Sequence, residues 1–382
     1  MAPAAAARST GPFDRRTSLI FGGYTVAFAI TGLANAAHLD PLVEFVIAVI
    51  GLAAGAVAVG ESVERLSERL SPAATGLVQS ILGNLPELFL AVFALQAGLV
   101  GVVAAALIGS VLGNALFVLG AALLAGGLRH GLLRFPKDAN RLYSTELLLA
   151  VAAFLVPYLA TRAGEPDAGH GVELSAIVAV ILLVIFAMAI PIGLRIARRG
   201  AAAGDASAGE PPTGPLERPV ERRGGRPLGE TLVLLVLAAG SSALVAEWFV
   251  DALQPAMASI GMSEAFAGLI LVALAGNSVE NLAGIRFALR GRGDLAMSLI
   301  LNSALQVVLF VAPVIVLVSL FVAPTPLTFI VDPLLLGSLA VAAVLVFAIV
   351  LDGEANALEG AMLLGLYVMI AAAVWWGPPI TA

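Results

Sequence analysis

The chain has 382 residues, 60% of them hydrophobic and 12% charged, with no cysteine and a formal net charge of −6. Soluble domains carry about 25% charged residues, so a mean hydropathy of +1.01 makes this a polytopic membrane protein. Without cysteine, disulfides, thiolate metal centres and cysteine catalysis are excluded.

Met1 to Arg16 is small, polar and basic. It lacks the apolar core and cleavage site of a secretory signal, so the first apolar run reads as a retained span. Eleven apolar stretches are long enough for ~30 Å of hydrocarbon. They lie near 17–36, 41–60, 76–97, 99–125, 144–161, 173–194, 229–250, 264–289, 295–321, 327–351 and 356–376.

Basic residues orient the path. Arg8, Arg15 and Arg16 precede span one, and Arg65 and Arg69 follow span two. Arg129, Arg134, Lys137 and Arg141 follow span four; Arg195, Arg198, Arg199, Arg218, Arg222, Arg223 and Arg226 follow span six; Arg290 and Arg292 follow span eight. With eleven spans these all fall on one side, and only Arg162 falls in an opposite loop. The positive-inside rule then predicts a cytoplasmic N-terminus and an external C-terminus.

Four segments are expected: a tail with an extra helix (1–40), a first half (41–194), a linker (195–228) and a second half (229–382). Within the linker, Ala201 to Arg226 is rich in Gly, Ala, Pro, Ser, Glu and Arg, has no apolar periodicity, and reads as a flexible cytoplasmic tether.

Two apolar runs are interrupted by matching frames, Gly83-Asn84-Leu85-Pro86-Glu87 and Gly276-Asn277-Ser278-Val279-Glu280, 193 residues apart. Asn and Glu three residues apart share a helix face. A charge at bilayer depth costs roughly 2.5–3.5 kcal/mol on insertion scales and marks a functional site by default. We read Glu87 and Glu280 as two halves of one ion site.

The frames open longer similar tracts. GLVQSILGNLPELFLAVFALQAG followed by VVAAALIGSVLGNALFVLG occupies spans three and four; GLILVALAGNSVENLAGIRFALRGRGD followed by AMSLILNSALQVVLFVAP occupies spans eight and nine. Ser110 aligns with Ser303, and Gly113 with Gln306. The offset of five spans is odd, so the repeats have opposite topology. Inverted repeats with Gly- or Pro-interrupted spans are the sequence signature of a secondary transporter with a midplane site. Gly83 and Pro86 are expected to interrupt span three, and Gly276 and Gly284 to loosen span eight.

Carboxylates, amides and hydroxyls without Cys or intramembrane His form an oxygen-donor set suited to hard cations such as Ca²⁺. Glu87 and Glu280 supply the charge. Asn84 and Asn277 stand beside them, and Ser110, Asn114, Ser303 and Gln306 either complete the shell or solvate it. The same acids bind protons, and a divalent cation displaces them. One site occupied alternately by Ca²⁺ or H⁺ is a minimal antiporter.

Glu247, in Ala246-Glu247-Trp248, and Glu64, after span two, are read as a proton relay or access gate, or as a headgroup-level side chain and a solvated helix face. His38, His130 and His170 fall in expected loops as surface imidazoles. Arg286 is expected to snorkel.

The paired motifs GNLPELFLAVFAL and GNSVENLAGIRFAL resemble the two repeat signatures of the cation/proton exchangers in the Ca²⁺/cation antiporter superfamily. The similarity extends to GSVLGNALFVLG, NSALQVVLFV, AEWFVDAL, GESVERLSERL and LDGEANALEGAMLLGLYVMIA. Asn281, where His is common, and Asn302, where Gly is typical, depart from the pattern. The resemblance implies an all-α fold of about eleven transmembrane helices: two inverted five-helix sodium/calcium-exchanger-type repeats plus an N-terminal extra helix. It implies Ca²⁺ export against H⁺ entry by alternating access, with Glu87, Glu280, Asn84, Asn277, Ser303 and Gln306 at the site and Glu64 and Glu247 in coupling or access. Ca²⁺ and H⁺ are then transported ions rather than cofactors. The bilayer is the partner, an oligomer is compatible, nucleic acid is not expected, and a prokaryotic plasma membrane is the expected location.

The alternative is a Na⁺-coupled exchanger of the same superfamily. One carboxylate per repeat core favours proton coupling, because the sister families carry further acidic or hydroxyl groups there. An intramembrane enzyme would need a nucleophile with a base, and no intramembrane His is expected.

Overall fold

Lipid offers no hydrogen-bond partner, so an apolar run that crosses it must satisfy its backbone internally, and this chain does so with helices. The computed structural model describes residues 15–67, 70, 72–135, 137–162, 169–202 and 228–376. Arg8 of the tail, Arg69 after span two, and 203–226 of the expected tether lie outside them.

Spans one and two are α1 (Arg15–Ala37) and α2 (Pro41–Ser67). Span three is split into α3 (Pro72–Leu82) and α4 (Leu85–Gln96). Span four runs through α5 (Val100–Leu112), a π-helical stretch Gly113–Val118 and α6 (Leu119–His130), after which β1 (Leu133–Arg134) follows. Spans five to seven are α7 (Lys137–Ala160), α8 (Gly171–Ala202) and α9 (Leu228–Ile260).

Span eight comprises α10 (Glu264–Phe266), a π-helical stretch Ala267–Val272, α11 (Ala273–Gly276) and α12 (Ser278–Leu289). Span nine comprises α13 (Gly293–Gln306), a π-helical stretch Val307–Val311 and α14 (Ala312–Val322). α15 (Pro333–Val350), β2 (Glu354–Ala355) and α16 (Ala357–Trp375) complete the chain. Among the described residues ten helices are long and apolar enough to span a bilayer, and the pair in span eight, bent by 66°, makes eleven.

Local expectations change in spans two, six and eight. α2 continues past 60 to Ser67. α8 continues to Ala202, because Arg195-Ile196-Ala197-Arg198-Arg199 consists mostly of good helix formers, so the first residues of the expected linker are helical. Gly284 does not loosen span eight. It lies within α12, where a Cβ would come 2.6 Å from Ile300 Cγ1, so it serves the packing of α12 on α13.

The breaks have local causes. Pro86 has no N–H and fits only a first helical turn, so a new helix starts at Leu85. Gly83 N donates to Gln79 O at 2.8 Å and closes α3. In span eight Asn277 takes the same role without a proline. Asn84 has φ −91°, ψ 11° and Asn277 has φ −95°, ψ 17°. Both occupy the sparsely populated bridge region, where active-site residues recur.

Contacts between span ends agree with eleven alternating crossings. At one face Arg16 pairs with Glu61 at 3.3 Å. At that face β1 also pairs antiparallel with β2 (Leu133↔Ala355, Arg134↔Glu354), and His130 Nε2 donates to Leu289 O at 3.0 Å. At the other face Ser263 Oγ donates to Val374 O, and Phe329 N donates to Ser175 Oγ. His130 is thus the last residue of α6, bonded across to α12, and not a free loop imidazole.

α2 and α9 pack along each other, with Phe45 against Phe249. α1 lies across both: Tyr24 OH donates to Ser241 Oγ at 2.9 Å, and Phe28 meets Trp248. Span four crosses span eight backbone to backbone. A Cβ on Gly109 would lie 2.5 Å from Leu269 Cα, and one on Gly268 would lie 2.8 Å from Ala105 Cβ.

Candidate functional site

The two breaks face spans four and nine, and hydrogen bonds run between repeats. Asn84 Nδ2 donates to Ser80 O at 2.7 Å and to Gln306 Oε1 at 3.4 Å. Asn277 Nδ2 donates to Ala273 O at 3.1 Å and to Ser110 Oγ at 3.2 Å. Asn114 Nδ2 donates to Ser110 O at 3.0 Å and to Ser303 Oγ at 3.3 Å. Each amide therefore gives one bond to the carbonyl one turn back and one to the opposite repeat.

An Asn amide has two N–H donors and one carbonyl acceptor. In all three residues both donors are taken, so the polar atom left over is a carbonyl oxygen. Asn114 is 1% exposed, and its Oδ1 has no partner among the described residues. A buried acceptor without a donor costs about 1–3 kcal/mol, and a cation is a partner that would relieve it.

Glu87 sits in the first turn of α4, where the helix dipole favours negative charge. Its half-buried side chain lies against Gly276 of the other repeat, where a Cβ would come 3.2 Å from Glu87 Cγ. Glu280 holds the equivalent first-turn position in α12. Its side chain lies outside the described set.

Ser110 and Asn277 are 8% and 4% exposed, while Ser303, Asn84 and Gln306 are half-buried. The structure thus brings together Asn84, Asn277, Ser110, Ser303 and Gln306, with Asn114 and with Glu87 at Gly276. Oxygen donors without nitrogen or sulfur ligands suit a hard cation. The π-helical stretches, which recur at functional sites, flank this cluster: one takes in Asn114, another starts just after Gln306, and the third precedes Asn277 by a turn.

Glu64 and Glu247 stand apart from the cluster. Glu64, near the end of α2, is 3.7 Å from Arg16 with its side chain 40% exposed. Glu247 is exposed on α9. The more enclosed acid of that α2 turn is Glu61, its side chain 9% exposed, which accepts from Thr17 at 3.1 Å and pairs with Arg16 and Arg65. Nothing in the sequence distinguishes Glu61 from Glu64, which are equally polar; only packing separates them. Arg286 is exposed, in keeping with snorkelling.

A sequence model of the sodium/calcium exchanger protein family matches residues 41–192 and 230–376. The chain belongs to that family. Each matched block contains one Gly-Asn-x-x-Glu frame. Membership makes the protein an ion exchanger and not an enzyme.

The chain is 31% identical over 371 residues to the Ca²⁺/H⁺ antiporter of Aphanothece halophytica, covering 94% of this chain and 97% of that one. It is 33% identical over 368 residues to the Ca²⁺/H⁺ antiporter of Synechocystis, covering 94% and 93%. Among solved structures, native YfkE superposes with a TM-score of 0.76 at 28% identity, over 93% of this chain and 99% of that one.

Proposed function

We propose that this integral membrane protein exchanges Ca²⁺ for H⁺ by alternating access, with Glu87 and Glu280 as a shared cation and proton site. The observation that carries the cation half is the occupied donor set on Asn84, Asn114 and Asn277, which leaves their carbonyl oxygens outside these bonds, with Glu87 against Gly276 next to Asn277. The relatives named above, over nearly their whole length, support the proton half.

Two carboxylates neutralise one Ca²⁺ or bind two protons. Either load leaves the site near neutral, whereas two bare carboxylates in lipid are costly to move. That cost makes the exchange obligatory. Asn84 and Asn277, each at a helix break, are the points about which the halves of spans three and eight move. Ser110, Ser303 and Gln306 hold the amides in register from the opposite repeat. Glu64 and Glu247 act in access or proton coupling at the ends of α2 and within α9.

The two repeats comprise 41–194 and 229–382, joined by the linker 195–228 and preceded by an extra helix within 1–40. The protein lies in a prokaryotic plasma membrane with its N-terminus in the cytoplasm and its C-terminus outside. The distribution of arginines supports that orientation.

The test is ⁴⁵Ca²⁺ uptake into proteoliposomes under an imposed pH gradient or Na⁺ gradient. The pH gradient drives uptake, and Glu87→Gln or Glu280→Gln removes it while folded protein remains. Uptake driven by Na⁺ and not by pH would replace this reading with sodium-coupled exchange.

A further inference from the structure

A polar stripe runs along α13. Ser298, Asn302 and Gln306 stand at i, i+4 and i+8 on one side of it, all half-buried. The stripe begins at span five, where Tyr143 OH and Ser298 Oγ share a hydrogen bond at 3.2 Å. It ends at the candidate site, where Gln306 Oε1 accepts from Asn84. Asn302, which departs from the exchanger pattern, is its middle member.

α7 packs on α13 and carries Glu146, about one turn on from Tyr143 and on the same face. Spans five and nine run in the same direction. At ~1.5 Å per residue Glu146 lies ~4.5 Å beyond Tyr143, and Asn302 ~6 Å beyond Ser298. The carboxylate therefore stands at a depth between the first two members of the stripe. Glu146 is half-buried inside the span Tyr143–Ala160, and no hydrogen bond or ion pair reaches it among the described residues. Packing would be served by leucine, as at the next three positions, whereas an acid inside a span is costly and marks function by default.

The elements packed on α7 are α15, α13 and α8. α15 carries no titratable residue, and α13 carries Asp294, paired with Arg292 at 3.4 Å. α8 has Glu173 at one end and Arg195, Arg198 and Arg199 toward the other, and α7 itself starts with Lys137, Asp138 and Arg141.

We infer that Glu146 is a proton-binding residue on a path that joins the candidate site to the cytoplasmic face and that Ca²⁺ does not use. Tyr143, Ser298, Asn302 and Gln306 line it, with hydroxyls and amides that can hold water in sequence. A proton displaced by Ca²⁺ from Glu87 or Glu280 adds to the Glu146 carboxylate, which becomes a neutral acid, and then leaves to cytoplasmic water. Only the proton moves. Ca²⁺ does not follow, because it needs about 6–8 oxygens around it and the stripe offers one side chain per turn. The inference rests on the proton-coupled reading of the site and adds a route to it.

The test compares two modes of ⁴⁵Ca²⁺ flux in proteoliposomes. Uptake driven by a pH gradient must move protons; exchange of ⁴⁵Ca²⁺ for unlabelled Ca²⁺ at equal pH need not. Glu146→Gln should slow the first at least ~tenfold and leave the second as in the wild type. Glu146→Asp, which keeps the carboxylate, should retain most of the first, and Asn302→Leu should slow the first and spare the second. Equal slowing of both modes in Glu146→Gln, or slowing of neither, would overturn the inference. If that variant does not fold, Asn302→Leu decides by the same split. Wild-type uptake driven by Na⁺ and not by pH would instead remove the proton-coupled reading, and the inference with it.

Discussion

Glu87 of the first repeat lies against Gly276 of the second, and a Cβ at Gly276 would come within 3.2 Å of Glu87 Cγ. The glycine of one Gly-Asn-x-x-Glu frame thus makes room for the carboxylate of the other, and neither frame completes the site alone.

Gly276→Ala should displace the Glu87 side chain without unfolding the protein. Overpacking costs about 1–3 kcal/mol, so Ca²⁺ affinity should fall roughly five- to 150-fold. Isothermal titration of Ca²⁺ into purified protein checks this, and unchanged affinity would mean that Glu87 is not a ligand in this position.

Asn114 offers a way to separate ligand from scaffold. Its Oδ1 is buried without a partner among the described residues. Asn114→Leu keeps the branched shape and removes the orphaned acceptor together with the donor to Ser303 Oγ, so gain and loss offset and the melting temperature of the ion-free protein should hold within a few degrees. Ca²⁺ affinity should nonetheless fall about tenfold, or ~1.4 kcal/mol. A large loss of stability with normal affinity would make Asn114 a structural residue.

The crossing of spans four and eight predicts a contrast between two glycines four residues apart. Gly109→Ala drives a Cβ into the Leu269 backbone, whereas a Cβ at Gly113 meets only Leu274 Cδ2, at 3.9 Å. Gly109→Ala should lower thermal stability by ~1–3 kcal/mol and slow exchange, and Gly113→Ala should do neither. Melting curves with ⁴⁵Ca²⁺ flux on both variants test the contrast. Its counterpart in span nine is Asn302 by the repeat alignment, so the close approach at Gly109 has no matching glycine there.

Much of the fold was legible because lipid simplifies the code. Runs of about twenty apolar residues must be helices, and a Gly-Asn pair before Pro86 marks a break by chemistry alone. The span-eight break was legible only through its likeness to span three. The π-helical stretches were not legible: Val307-Val308-Leu309-Phe310-Val311 reads as ordinary helix, and packing alone decides the wider turn. The residues of the candidate site could be named from sequence, but not their cross-connection. That Asn84 reaches Gln306 while Asn277 reaches Ser110 depends on how the inverted repeats face each other. The closer enclosure of Glu61 than of Glu64 is likewise set by packing, through Thr17 of α1 and Arg65.

On this mechanism Ca²⁺ and H⁺ compete for one pair of carboxylates. Carboxylates bind Ca²⁺ when deprotonated, so protons must leave as the ion enters. The most direct measurement is Ca²⁺ affinity in detergent across roughly pH 5.5–8.5, with proton release followed in weak buffer. Affinity should weaken steadily as pH falls, and protons should appear with each Ca²⁺ bound. An affinity flat across that range, with no proton released, would contradict this mechanism.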